Sequence, residues 1–135
     1  MRPTRGERNN NPGNIRDGQR WQGESGMDSD KAFEEFASPE DGIRALGKVL
    51  LTYQRKHGLR SVKQIVNRWA PPNENDTGAY VYSVAAALVV HPTEPLDLED
   101  RNVLCKLVRA IIKHENGRVL YADAVIAEGV ERALT

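Results

Sequence analysis

The sequence predicts a single mainly α-helical domain, residues 1–135, with one short β-hairpin near its N-terminal end. Three observations predict it. Apolar residues recur at helical spacing in five separate stretches, most of them bounded by capping residues and by glycine or proline. Only residues 19–23 and 32–36 read as extended pieces, joined by a Gly- and Asp-rich turn. The length suffices for one buried core, and neither an internal repeat nor a low-complexity segment divides it.

Residues 1–8 are polar and aperiodic, and are expected to form a flexible arm. Asn9-Asn10-Asn11-Pro12-Gly13-Asn14-Ile15-Arg16 follows. Gly and Asn tolerate positive φ and Pro fixes it negative, so this density of the three specifies turns. The amides of Asn10, Asn11 and Asn14 both donate and accept, which suits sugar hydroxyls and acetamido groups, or equally a polar surface turn with no ligand. In the hairpin, Trp21 is either a core plug or a platform for stacking a sugar.

Ser38-Pro39-Glu40-Asp41 opens a helix that runs through Ile43, Leu46, Val49, Leu50 and Tyr53 to Lys56, and Gly58 ends it. Ser61 and Gln64 form a capping box for a second helix with Val62, Ile65, Val66 and Trp69, stopped by Pro71 and Pro72. Asp76 or Thr77 then caps a third, through Tyr80, Val81, Val84, Ala85 and Leu88 to about Val90. Glu74, Asn75 and Asp76 either line a cleft or serve as a cap and its solvated neighbours. The last helix is expected over 119–134, with Tyr121, Ala124, Val125, Val130 and Ala133 inward.

The helix expected over 98–117, capped by Asp97, organises the rest. Leu104, Leu107, Val108, Ile111 and Ile112 form its stripe, and Glu115 continues it, four residues after Ile111 and seven after Val108. A carboxylate on a buried face, at the negative end of a helix, is expected to hold its proton more tightly than usual. That is the property a general acid needs. The competing expectation is a solvated residue in a frayed last turn.

The composition excludes several classes. Formal net charge is zero, so bulk attraction to nucleic acid or an anionic membrane is not implied, despite Arg2, Arg5, Arg8, Arg16 and Arg20 near the start. Cys105 is alone, and His57, His91 and His114 lack zinc-ligand spacing, so no metal site is expected. No apolar run spans a bilayer and no signal peptide is legible, so the chain is expected in the cytoplasm as synthesised, without membrane insertion.

The stretch from Asn10 to Val84 carries an ordered set of motifs: NNPGNIR, then Trp21 and Gly23, then FEEFASPEDGIRAL, then a tryptophan loop followed by Tyr80 and Val84. This order resembles the glucosaminidase and lytic transglycosylase branch of the lysozyme superfamily. There the catalytic glutamate lies in an E-S-G motif on a helix before the NN motif. Nothing before Asn9 here forms such a helix, whereas His114-Glu115-Asn116-Gly117 is similar to that motif. A circular permutation of a lysozyme-like domain reconciles the two. The chain departs from the family at Asn116 (serine there), Asn14 (glycine) and Phe36 (tyrosine). The family's second acid has only Glu24, Asp28 and Asp30 as candidates by location. The pattern also resembles small phage and prophage proteins, some of them virion structural proteins.

The resemblance implies cleavage of peptidoglycan glycan strands by Glu115 as general acid, with Tyr80 orienting it or touching the ring. Asn10, Asn11, Gly13, Asn14, Trp21, Glu74, Asn75 and Asp76 would bind substrate. It implies no cofactor, and a monomer is favoured. The protein would reach the cell wall through a holin pore or with a phage particle. The alternative is a non-catalytic glycan-binding or virion structural protein on the same fold.

Overall fold

The computed structural model describes residues 2–27 and 30–135. Among them six helices carry the chain: α1 (Arg5–Arg8), α2 (Pro39–His57), α3 (Val62–Trp69), α4 (Thr77–Leu88), α5 (Arg101–Asn116) and α6 (Asp123–Leu134). The protein is therefore mainly α-helical. No helix of the described residues is long and apolar enough to cross a membrane.

The caps form where the sequence places them. Ser38 Oγ accepts from the Asp41 N–H at 3.2 Å, with Pro39 in the first turn. Ser61 and Gln64 satisfy each other's backbone N–H groups at 3.2 and 3.3 Å. Asp76, rather than Thr77, caps α4 by accepting from Ala79 N–H at 3.2 Å. With their ends fixed, the helices bury their stripes together. Ile43, Leu46 and Leu50 of α2 and Leu104, Leu107, Val108, Ile111 and Ile112 of α5 are wholly inaccessible to solvent. α2 packs against α6, and α5 lies between α4 and α6.

Four expectations are corrected. α5 begins at Arg101, not Leu98, and its cap is Asp100, which accepts from Asn102 and Val103 N–H. Leu98 instead enters the core from a turn, and its N–H donates to Gln54 Oε1 at 2.7 Å, a partner from α2 that no local pattern reveals. α6 begins at Asp123, and Ala124 is exposed, because Ile126, Gly129, Val130 and Ala133 set the buried stripe and Ala124 lies off it.

The expected arm is tied down. Thr4 and Glu7 form a capping box that starts α1, and the Arg5 guanidinium grips Asp30 with bonds of 2.6 and 2.7 Å. Thr4 Oγ1 donates to Asn116 Oδ1 at 2.6 Å, which ties the start of the chain to the end of α5.

The expected hairpin does not form a ladder. Two isolated antiparallel bridges, Arg16 with Phe33 and Glu24 with Phe36, are all the pairing its described residues show. Asp30 organises the loop instead, accepting from Arg5, Asn9 and the Ala32 and Phe33 N–H groups. Those donors hold its carboxyl well below the usual carboxylate range, the Arg5 bond foremost.

The asparagine turn docks directly on α2. Asn10 and Asn14 take φ of 50° and 53°, the left-handed region that asparagine tolerates. A side-chain carbon at Gly42 would lie 1.8 Å from the Asn10 carbonyl oxygen, so only glycine lets the turn sit on the first turn of α2.

Candidate functional site

The last turn of α5 places Glu115 at the surface of the core, and Gly117 closes the helix at φ 79°. Asn116 fixes what lies opposite. Its Nδ2 donates to the Pro12 carbonyl at 2.8 Å and to the Ile112 carbonyl at 2.9 Å. One side chain thus bolts the asparagine turn to the end of α5.

That bolt brings Asn14 to Glu115. Asn14 Nδ2 donates to Glu115 Oε1 at 3.0 Å, and Tyr80 Oη donates to Oε2 at 2.8 Å. Trp69 Nε1 donates in turn to Tyr80 Oη at 3.2 Å. The His114 ring stacks on Tyr80 with centroids 3.7 Å apart. Tyr80 is 1% exposed, and its hydroxyl is raised far above the ordinary tyrosine value, by burial first and then by the Glu115 charge and the bond to it. It therefore stays a donor across the working pH range. Both Glu115 oxygens are held by groups from other parts of the chain, and the carboxyl plane is fixed.

Glu115 forms part of the wall of a cleft of about 340 Å³. This lies within the range of small-molecule sites, roughly 300–1,000 Å³. Of the expected site residues, Gly13, Asn14, Trp21, Glu74, Asn75 and Glu115 line it. Asn10, Asn11, Asp76 and Tyr80 do not. Asn11 is fully buried: its Nδ2 donates to the Ile15 and Glu34 carbonyls and its Oδ1 accepts from Ile15 N–H. The Asn10 amide donates to the Phe36 carbonyl at 3.0 Å. Both hold the turn in shape. Asp76 is spent on the α4 cap.

Among the candidates for a second acid, Asp30 is engaged as described, Glu24 accepts from Trp21 N–H at 3.0 Å, and Asp28 lies outside the described residues. Neither of the two described candidates, Glu24 and Asp30, lines the cleft. Glu74 does, 3.9 Å from the Arg16 guanidinium.

The cleft also has walls that sequence reasoning missed. Tyr53, read as part of the α2 core stripe, lines it with Gln19, Arg16 and Phe33. Tyrosine joins an apolar body to a polar tip, and that amphipathic character was the available signal. Trp69, which the sequence left equally open to the core or to a subsite wall, lines the cleft and anchors Tyr80 as well.

No family model matches the chain. Over 131 residues it is 41% identical to Protein P5 of Pseudoalteromonas phage PM2, an alignment that covers 94% of this chain and 80% of that protein. The chain belongs to the Protein P5 family. A match over 94% of the chain spans both the asparagine turn and the end of α5, so this P5-family domain aligns across the whole site. The relative is a phage protein, as the resemblance of the sequence to small phage proteins implies.

Proposed function

We propose that this protein cleaves the glycan strands of peptidoglycan, with Glu115 as general acid. One observation carries the reading: a carboxyl group at the end of α5 is held by Asn14 and Tyr80 on the wall of a cleft that Trp21, Tyr53 and Trp69 also line. Aromatic faces beside amides and a positioned carboxyl group suit an amino-sugar polymer.

In this reading a strand lies along the cleft with its sugar faces on the rings. Protonated Glu115 donates its proton to the glycosidic oxygen as the bond to the anomeric carbon breaks. The leaving sugar departs with a hydroxyl, and Glu115 is left as a carboxylate that the Asn14 and Tyr80 donors stabilise. A water or a hydroxyl of the sugar itself then bonds to the anomeric carbon, and the proton it gives up returns to the Glu115 carboxylate. Asn14, Asn75 and the backbone at Gly13 hold the acetamido group and hydroxyls. The Glu115–Asn14 contact joins opposite ends of the chain, as a circularly permuted lysozyme-like domain requires.

The test is digestion of isolated Gram-negative sacculi. The protein should lower their turbidity, and Glu115→Gln, still folded, should not. Binding to sacculi without release of muropeptides by either form would instead identify a glycan-binding or virion structural protein.

A further inference from the structure

A second hollow, about 490 Å³, adjoins the cleft and shares Gln19, Trp21, Val49 and Tyr53 with it. Its chemistry is different. Arg20, Arg44, Lys48, His57 and Arg68 line it, and among the described residues no carboxylate does. None of these five makes an ion pair within the described residues, although the chain carries as many acids as lysines and arginines. The nearby Glu99 is already matched by Arg55, through bonds of 2.5 and 2.7 Å.

This concentration of charge works against the fold alone. Arg44 and Lys48 lie four residues apart on one face of α2, where like charges destabilise a helix. Both are half-buried. The Lys48 ammonium is pushed down, by burial first and then by the Arg44 and Arg55 charges. His57 and Arg68 sit at helix C-termini, where the dipole accounts for them; Arg44 and Lys48, in the middle of α2, have no such account. Arg68 lies over the Tyr53 ring, 5.3 Å from its centroid, on the boundary between the two hollows.

We infer that this basic shelf binds the carboxylates of the stem peptide carried by a muramic acid residue whose sugar lies in the adjoining cleft. The inference rests on the proposed glycan-cleaving function and names the form of substrate that site takes: strands bearing their acidic peptides rather than bare glycan. A stem peptide branches from the strand beside the sugar rings, so it needs a cationic surface contiguous with the cleft. The shared Trp21 and Tyr53 walls provide that continuity, which an independent nucleic-acid surface would not need.

The test reads binding apart from cleavage. The free stem tetrapeptide of a Gram-negative wall, with alanine, glutamate, diaminopimelate and alanine in order, is titrated into isotopically labelled protein. Amide shifts are expected along α2 around Arg44 and Lys48. The Arg44→Gln/Lys48→Gln double variant, whose spectrum reports that it is folded, should bind about tenfold more weakly, from the loss of two charge contacts. The ratio of cleavage rates on peptide-bearing over amidase-stripped strands should fall by a similar factor. No shelf shifts at millimolar peptide, equal binding by the double variant, or tighter binding of a short DNA duplex at the same amides would each overturn the inference. Wild-type protein that shifts on the peptide but releases nothing from sacculi would overturn the glycosidase reading while leaving the shelf assigned.

Discussion

Asn14 and Glu115, 101 residues apart in the chain, share a hydrogen bond of 3.0 Å. Three things make it: the left-handed backbone at Asn14, the seat that Gly42 leaves for the turn, and the Asn116 side chain that ties Pro12 to α5. The contact fixes the carboxyl group from the opposite side to Tyr80. Its loss is expected to cost function more than stability.

Asn14→Gly tests this cleanly, because glycine accepts a φ of 53° without strain. The variant loses one partly buried hydrogen bond, about 1 kcal/mol. Its turnover of sacculi should fall by about ten- to a hundredfold, the scale of effect expected when a reacting group is misplaced. A melting temperature close to wild type with turnover unchanged would remove Asn14 from the site.

Glu34 predicts a pH dependence of stability. It is 3% exposed, its Oε2 has no hydrogen-bond partner among the described residues, and its carboxyl is pushed up to about 8 by burial first and then by the neighbouring Asp17 and Glu24. The folded state therefore binds this proton more tightly than the unfolded chain, whose glutamate titrates near 4.5. The contribution is fully present below pH 4.5 and is lost as pH rises through about 8. Glu34→Gln keeps donors toward both neighbours without titrating. Melting curves should show the variant and wild type alike at pH 4, and the variant more stable at pH 9.

Val89 ends α4 at φ 56° and is 89% exposed. A β-branched residue in the left-handed region is strained, and an exposed side chain regains little in return. Val89→Gly should raise stability by about 1 kcal/mol, or about 4 °C in melting temperature for a domain of this size. An unchanged or lower melting temperature would show that the strain is relieved elsewhere.

Much of the helical framework was legible because it is local. Ser38, Ser61 and Asp76 cap where short-range hydrogen bonding favours them, and the stripes of α2 and α5 bury as their period requires. What was lost depends on distant partners. Leu98 lies outside α5 with its N–H on Gln54 of α2, and nothing near Leu98 signals that partner. The T-x-x-E pattern at Thr4 and Glu7 encodes the start of α1, but its four helical residues carry no apolar stripe and so leave no periodic signal.

The candidate site divides the same way. Glu115, Asn14, Trp21, Glu74 and Asn75 face one cleft, and their residue types were the clue. Asn11 has the same amide as Asn14, yet three main-chain groups consume it, and only the folded turn distinguishes the two. The basic shelf was invisible because net charge averages over the surface, and Arg44 and Lys48 meet Arg20 and Arg68 only in the fold.

Release of soluble muropeptides from isolated sacculi, compared between wild type and Glu115→Gln, decides whether this carboxyl group drives strand cleavage. Wild type should release fragments, and a variant with the same circular dichroism and melting temperature should release none above background. Equal release by the two proteins would contradict Glu115 as the acid, and no release by the wild type would contradict cleavage itself.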